Sequence, residues 1–468
     1  MLIGLHGGDA PMKLSFLNRE REIQRIRNAT ASEQESHLLV VYGRRRLGKS
    51  TLLQHILRQS DIYYLAIQSD KVLQMQHLAE EITRILPGFH DVQYPDWKAV
   101  FTQLALRCRP GTIVVLDEFP YLVEESPELA GVLQNLVDTG ALNYHLVLCG
   151  SSQRMMHGLV LDQTAPLYGR AQEILKIEPL PVGWLQNAVY SEAVQCVEAY
   201  SVWGGVPRYW ELASDFTTLE AAVKYLILDK YGVLHHEPQR ILLDDMNRTT
   251  QTNSIISVIA NGAHRVTEIC GRLRKPATNL SRPLANLKDL GYLKREIPFG
   301  EPRKSSKKTL YKIADPYLQF WYRFVFPHIS LLEVDRIDDV YRIISEQFAS
   351  HVADVWEELA RKSCAYADIA DIVWNPGTRW WGRGLDGQFM EIDVIAESLD
   401  KTCLLVGEVK WREQLRINEI LFRLQQKIEN LPFRARYQRI VSAVWMKHPV
   451  ETNACHVITP KKLCNILQ

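Results

Sequence analysis

Three groups of residues in this sequence have the types and spacing of reaction chemistry. The first is Gly43, Gly48, Lys49 and Ser50 in GRRRLGKS. A loop that wraps a polyphosphate turns its backbone N–H groups inward, and glycine tolerates that backbone. Lys49 would set a point charge against the outer phosphates, and the Ser50 hydroxyl would ligate Mg²⁺. The whole loop, Gly43, Arg44, Arg45, Arg46, Leu47, Gly48, Lys49, Ser50 and Thr51, is expected to contact nucleotide. The second group is Asp117-Glu118 after the apolar run TIVVL. Asp117 would hold Mg²⁺ through water, and Glu118 would polarise the attacking water. The third is Asp393 with Glu408-x-Lys410. Two carboxylates hold Mg²⁺, while a lysine two residues along the strand shares the face of Glu408 and orients or deprotonates water. A helix carboxylate, Glu357 or Glu358, completes that metal set, with Glu357 the first choice.

These residues need elements to hold them. His37–Tyr42 reads as a buried strand feeding the first loop, and a helix starts near Lys49 with its partly positive end at the phosphates. Strands are expected at Asp61–Gln68, Thr112–Leu116, Tyr144–Cys149 and Glu173–Ile177, with helices at Lys71–Leu86 and Trp97–Leu106. Fully apolar strands belong in a central parallel sheet, and carboxylates at their C-terminal ends face the ligand crevice. Asn18 is placed to cap a first helix. At the end of Tyr144–Cys149, Ser151 is placed to sense a γ-phosphate, with Ser152 the next choice. Arg170, in LYGR, serves either as an arginine finger, within one subunit or across two, or as a salt-bridge partner of a sheet carboxylate.

FLNRE, GRRRLGKS, TIVVLDEFPYL, VLCGSS, PLYGRA and WGGVPRYW occur in that order. Together they resemble the archaeal-ATPase-like family of P-loop NTPases, near the AAA+ and STAND ATPases. The resemblance implies an α/β fold whose two Walker strands are separated by an inserted strand, followed by a helical lid. In that lid Arg208 reaches the nucleotide or packs on Trp203 or Trp210. The order Glu, Asp, Glu-x-Lys near the C-terminus resembles the PD-(D/E)xK nuclease superfamily, with Ile392 where the name has proline.

Between these parts, residues 253–313 read as helix, helix, helix, hairpin, the order of a winged helix. The helices are expected at Asn253–Asn261, at Thr267–Leu273 and from Asn279 or Ser281, with Pro283 in the first turn. Lys294–Pro298 and Thr309–Ile313 form the wing. From Arg265 to Lys312 there are thirteen basic and four acidic residues, a local excess of nine in a chain of net charge +1. Such a module either reads DNA, with Ser281, Arg282 and Lys288 near the groove and Arg303, Lys304, Lys307 and Lys308 on phosphates, or relays motion without DNA.

The length of 468 residues suggests two to four domains. The expected fold is α/β throughout, beginning with a P-loop ATPase core at 14–180 and a helical lid at 181–250. A winged helix at 251–315 and a small α/β restriction-endonuclease-like domain at 316–468 follow. Residues 1–13 are set apart as a disordered extension. The eight scattered cysteines form no C-x-x-C pair, so neither a zinc site nor a disulfide framework is indicated. No apolar run approaches membrane-spanning length, and the expected compartment is cytoplasmic. ATP and Mg²⁺ are the expected cofactors, with DNA and a second copy of the chain as candidate partners. The expected function is an ATP-binding and ATP-hydrolysing protein acting on DNA, with a Mg²⁺-dependent nuclease-like domain. The alternative is an ATP-driven signalling or regulatory switch whose C-terminal domain is catalytically inactive.

Overall fold

A computed structural model describes residues 14, 16–246, 249–302, 306, 308–413 and 416–468. The expected extension 1–13 and the wing residues Arg303, Lys304 and Lys307 lie outside the described residues. The chain forms two compact units. One spans Asn18–Pro179 and returns from Gln239 to Met246; the other holds Leu180–Pro238 and the described residues from 249 onward. Part of the expected lid thus belongs with the first unit, where buried Asp245 accepts from Ser152 at 3.4 Å and from the Arg154 N–H at 3.5 Å.

In the first unit, α1 (Glu20–Ala29) precedes β1 (Leu38–Tyr42), α2 (Lys49–Ile56) and β2 (Ile62–Leu65). β3 (Ile113–Asp117), α3 (Phe119–Glu125), α4 (Leu129–Asp138), β4 (His145–Gly150) and β5 (Ala171–Lys176) follow. The strands form one parallel sheet in the order β2-β3-β4-β1-β5, so β4 separates β1 from β3 as expected. LLVVY, IVVLD and HLVLCG supply its buried middle, as a sheet covered on both faces requires. Helices Lys71–Thr83 and Trp97–Arg107 join the same apolar core through Leu78, Trp97 and Phe101. Arg19, not Asn18, is the N-cap of α1. It sits at φ 99°, and the Asn18 side chain accepts its N–H at 2.8 Å.

The second unit opens with helix Val182–Ala188 and α5 (Ala193–Trp203). α6 (Thr249–Ala260), α7 (Val266–Leu273) and α8 (Ala277–Asp289) lead into an antiparallel hairpin of β6 (Leu293–Glu296) and β7 (Leu310–Ile313). The Glu268 carboxylate accepts the His264 and Arg265 N–H groups and so caps α7. α8 starts at Ala277, earlier than expected, with Pro276 as its N-cap. Pro283 therefore lies inside the helix and cannot bond the carbonyl of Asn279. The Gln251 side-chain amide donates to that carbonyl instead, at 3.3 Å.

α9 (Ile337–Ser363) then leads to β8 (Thr378–Arg383), β9 (Phe389–Glu397) and β10 (Cys403–Lys410). α10 (Ile417–Glu429), β11 (Arg439–Met446) and β12 (His456–Ile458) complete a sheet in the order β12-β11-β10-β9-β8. Its β8-β9-β10 half is antiparallel and its β10-β11-β12 half parallel. The strand expected at 371–374 is reduced to isolated bridges. Helix Pro460–Ile466 packs back on Val182–Ala188. A Cβ at Gly183 would lie 2.0 Å from the Cys464 carbonyl oxygen. No helix among the described residues is long and apolar enough to cross a membrane.

α9 crosses α5 through His351, which is fully buried; its Nε2–H donates to the Ser201 carbonyl at 2.8 Å. Its Nδ1 is buried with no partner, so a second proton there would be unsatisfied. Burial pushes His351 down from 6.5 to about 4. The unfolded chain then takes up a proton first as pH falls, so this group's stabilisation is present above pH 6.5 and lost toward pH 4. The expected loss is roughly 3 kcal/mol. Denaturant unfolding of the protein and of His351→Gln across that range checks this; equal slopes would rule it out.

Candidate functional sites

The loop between β1 and α2 is built around two glycines. Gly43 lies at φ 149°, and a Cβ there would come 2.6 Å from the Ile177 carbonyl oxygen. Gly48, at φ 85°, is the N-cap of α2. Between them Arg46 is also left-handed, at φ 69°. Arg44 and Leu47 are buried, Arg45 reaches the Tyr121 hydroxyl at 3.3 Å, and Thr51 is exposed on the first turn of α2. Lys49 is 5% exposed, and its ammonium donates to the Arg44 carbonyl at 3.2 Å. No carboxylate pairs with it among the described residues. A buried cation without a counter-charge, at a helix N-terminus, suits an anionic ligand.

Asp117 is fully buried at the end of β3. One of its oxygens accepts the Ser50 and Tyr63 hydroxyls, each at 2.6 Å, and the other accepts the Glu118 N–H at 2.9 Å. Ser50 and Asp117 bring two hard oxygen donors together, which fits Mg²⁺. Glu118 sits at φ 52°, and its carboxylate accepts both the N–H and the hydroxyl of Ser151, at 3.1 and 2.9 Å. The structure thus brings Ser50 to Asp117 and Ser151 to Glu118. Ser152 turns away to cap Gln153–Met156 through the Met155 N–H.

Arg170 does not join this group. Ala171 pairs with Leu38 at the start of β1, whereas the phosphate loop follows Tyr42 at its end. Arg170 therefore lies at the opposite end of the strands from its own subunit's loop, which overturns the in-subunit finger expectation. Its guanidinium holds Asp138, at the end of α4, through bonds of 2.7 and 2.8 Å; the partner is a helix carboxylate rather than a sheet one. In the second unit, Arg208 pairs with Glu211 at 2.6 Å.

Tyr63 and Arg19 are site residues that motif reading misses. Tyr63 lies opposite Val115 on β3 and so shares the face of Asp117 two residues on. Burial, reinforced by the bond to Asp117, raises its pKa and keeps it a donor. Arg19 is buried and donates to the Leu47 carbonyl of the loop at 3.3 Å and to that of Glu178 at 2.8 Å.

In the second unit β9 runs antiparallel to β10 and brings Asp393 beside Glu408 and Lys410. Asp393 accepts the Val409 N–H at 2.9 Å. The Lys410 ammonium lies 2.6 Å from Glu408 and 3.4 Å from Asp393, and Lys427 of α10 takes the other Glu408 oxygen. Glu357 and Glu358, near the end of α9, are both engaged by Arg361, at 3.4 and 3.2 Å. Burial and the neighbouring Asp393 charge raise the pKa of Glu357. Asp393 is held low despite burial by Lys410, the Val409 N–H and Lys427. Glu357, Asp393 and Glu408 thus share one region, but they do not form the expected metal cage. Among the described residues no group of three or more His, Cys, Asp or Glu is spaced to hold a metal ion. The physical reason is that lysine ammoniums take the carboxylate oxygens a cation would use.

Some of the basic residues of the middle region pair with the acidic residues of the same stretch, so the excess remains on the others. Lys294 and Lys312 pair with Glu296, Lys308 with Glu301, and Lys288 with Asp289. Arg274, Lys275 and Arg282, around the start of α8, are exposed and make no ion pair among the described residues.

A parallel sheet with a phosphate loop after β1 and an Asp-Glu pair one inserted strand away defines a P-loop ATPase. The family described as an ATPase domain predominantly from Archaea matches residues 16–212, and archaeal and bacterial proteins of unknown function match residues 321–425. An uncharacterised protein of Methanocaldococcus jannaschii is 31% identical over 409 residues, covering 85% of this chain and 88% of that one. The chain belongs to this predominantly archaeal family of ATP-binding P-loop ATPases. Its fold is similar to that of a Walker-type ATPase of Pyrococcus abyssi, with a TM-score of 0.51 and 20% identity over 66% of this chain and 96% of that one.

Tyr63→Phe removes one of the donors on buried Asp117. The expected cost is about 1.5–3 kcal/mol, the range for a hydrogen bond to a charged group. Denaturant titration of the variant measures it, and an unchanged unfolding free energy would show that the hydroxyl does not hold Asp117.

Proposed function

We propose that the chain hydrolyses ATP with Mg²⁺ and couples that cycle to DNA. The observation that carries this reading is the joining of Ser50 to Asp117 and of Ser151 to Glu118 beside a buried, uncompensated Lys49. Bound Mg²⁺ supplies charge neutralisation across the outer phosphates. Lys49 balances the same charge from the loop, while Ser50 and Asp117 hold the ion. Glu118 orients a water for in-line attack on the γ-phosphorus. A new P–O bond forms as the bond to the bridging oxygen breaks and ADP leaves, and the water's proton passes to Glu118. Ser151 holds Glu118 and is placed to respond to the γ-phosphate. Arg170 is left a role only toward a neighbouring subunit.

Residues 14–180 are the ATPase core in this reading, 181–250 a lid, 251–315 a winged helix and 316–468 the nuclease-like domain. DNA would meet the exposed face of α8 at Ser281 and Arg282, with Arg274 and Lys275 on phosphates. A nuclease at the C-terminal site would require Mg²⁺ to displace Lys410 and Lys427 from Glu408 before Asp393 and Glu408 could hold it, with Glu357 as third ligand. One observation favours the second reading, a nucleotide-driven switch with an inert C-terminal domain: Lys410 and Lys427 already neutralise Glu408.

Lys49→Ala is expected to abolish ATP binding. Glu118→Gln is expected to bind ATP but turn it over about 100-fold more slowly or worse, the contribution of a positioned base. Equilibrium binding and steady-state ATPase assays test both; wild-type turnover in either variant would sink the assignment. Cleavage of linear and circular DNA with Mg²⁺ or Mn²⁺ decides between the readings. Loss of cleavage in Asp393→Ala supports a nuclease, and no cleavage by wild type under any condition supports the switch.

DNA affinity is expected to fall linearly with the logarithm of salt. Replacing Arg274, Lys275 and Arg282 together with alanine should reduce that slope by about 2–3. Fluorescence-anisotropy titrations measure the slope, and an unchanged value would remove α8 from the DNA interface.

A further inference from the structure

Arg45, in the middle of the phosphate loop, is tied to the element that carries Glu118. Its Nη2–H donates to the Tyr121 hydroxyl at 3.3 Å. Tyr121 lies on α3, one turn beyond Glu118, and its N–H donates to the Glu118 carbonyl at 2.9 Å. The phenol is firmly anchored. Its ring packs against the apolar core of the sheet, and its carbonyl accepts the side-chain amide of fully buried Gln74 at 3.0 Å.

This bond bridges the crevice at the C-terminal ends of the strands. β4 lies between β1 and β3, so the loop and α3 spring from strands two apart. Neighbouring strands are about 4.8 Å apart, which puts those two ends roughly 10 Å from each other, a span suited to a long side chain. The Arg45–Tyr121 bond thus joins the two across the end of β4, where Ser151 holds Glu118. A γ-phosphate is confined to the same place. It leaves the loop near Lys49 and has to meet a water oriented by Glu118. The guanidinium has five N–H donors in a planar fork, so its bond to Tyr121 is compatible with bonds to two phosphate oxygens. Arg45 is half-buried, so its charge is less screened there than at a fully exposed site. Arg170, by contrast, is held by Asp138 at the other end of the strands.

We propose that Arg45 is a catalytic residue for ATP hydrolysis, an arginine finger supplied by the phosphate loop itself. Held across the crevice by Tyr121, its guanidinium contacts the γ-phosphoryl oxygens. It binds them more tightly as the group flattens and moves toward the attacking water, so its stabilisation is greatest in the transition state. Lys49 serves ground state and transition state alike. The inference rests on the ATPase reading of this site and adds to it the group that separates those two states.

The test compares equilibrium binding of ADP with that of ADP plus aluminium fluoride, a mimic of the γ-phosphoryl group in flight, to the full-length chain with Mg²⁺. Arg45→Ala is expected to bind ADP within about threefold of wild type. Its affinity for the fluoroaluminate complex is expected to fall about 100- to 1,000-fold, as loss of a transition-state donor does, with a matching drop in kcat. Tyr121→Phe removes only the anchoring hydroxyl. It is expected to weaken the fluoroaluminate complex about 10- to 100-fold by misplacing the guanidinium, with ADP binding unchanged, and it carries the test should Arg45→Ala not fold. Equal losses for ADP and for the fluoroaluminate complex would make Arg45 a clamp on the loop and overturn the proposal. So would a fluoroaluminate complex that either variant leaves at wild-type affinity. ADP binding that is absent in wild type, or that Lys49→Ala leaves intact, would overturn the ATPase reading itself, and this inference with it.

Discussion

A buried carboxylate must be surrounded by donors, and Asp117 sets that requirement for the whole ATPase unit. Leaving an ionised carboxylate unsatisfied in a sheet interior costs several kcal/mol. Its donors come from the phosphate loop after β1, from β2 and from the first residue beyond β3. They converge only if those strands run parallel and finish at the same end of the sheet. The sheet order is therefore also a solvation shell for Asp117. The same geometry puts Glu118 into a left-handed backbone, where Ser151 meets it.

The second unit solves the same problem differently. Where Asp117 is satisfied by neutral hydroxyls and an amide, Glu357, Glu358, Asp393 and Glu408 are satisfied by Arg361, Lys294, Lys410 and Lys427. Neutral donors fix an oxygen by direction, whereas ion pairs fix it mainly by distance and tolerate exchange of partners. The first site is therefore stiff before any ligand arrives. In the second, the arrangement of carboxylates depends on which cation holds which oxygen.

The parts written in sequence-local chemistry were legible. The phosphate loop, the apolar strands and the Asp-Glu step each fit within a few residues, and β4 between β1 and β3 followed from the resemblance. The residues that escaped act across the fold. Tyr63 is an unremarkable tyrosine until β2 is placed beside β3. Arg19 matters because the loop carbonyl of Leu47 comes to it. Arg170 looked like a finger because its position in the sequence says nothing about which end of the strands it occupies. The basic run was counted correctly, but a sum of charges does not say which residues pair, as Lys294 and Lys312 do with Glu296. The early start of α8 was hidden because Pro283 argues for a helix beginning later, and the compensating amide of Gln251 is a tertiary contact.

The docking of Pro460–Ile466 on Val182–Ala188 has a consequence for how the chain comes off the ribosome. All five strands of the ATPase sheet lie in one stretch, Leu38 to Lys176, so the sheet can close while the second unit is still being made. The second unit is stitched from both sides of that event. The helix containing Gly183 emerges well before the backbone that packs against it at Cys464. Until then the side of that helix that meets Cys464 waits uncovered, and surface exposed in that way favours aggregation.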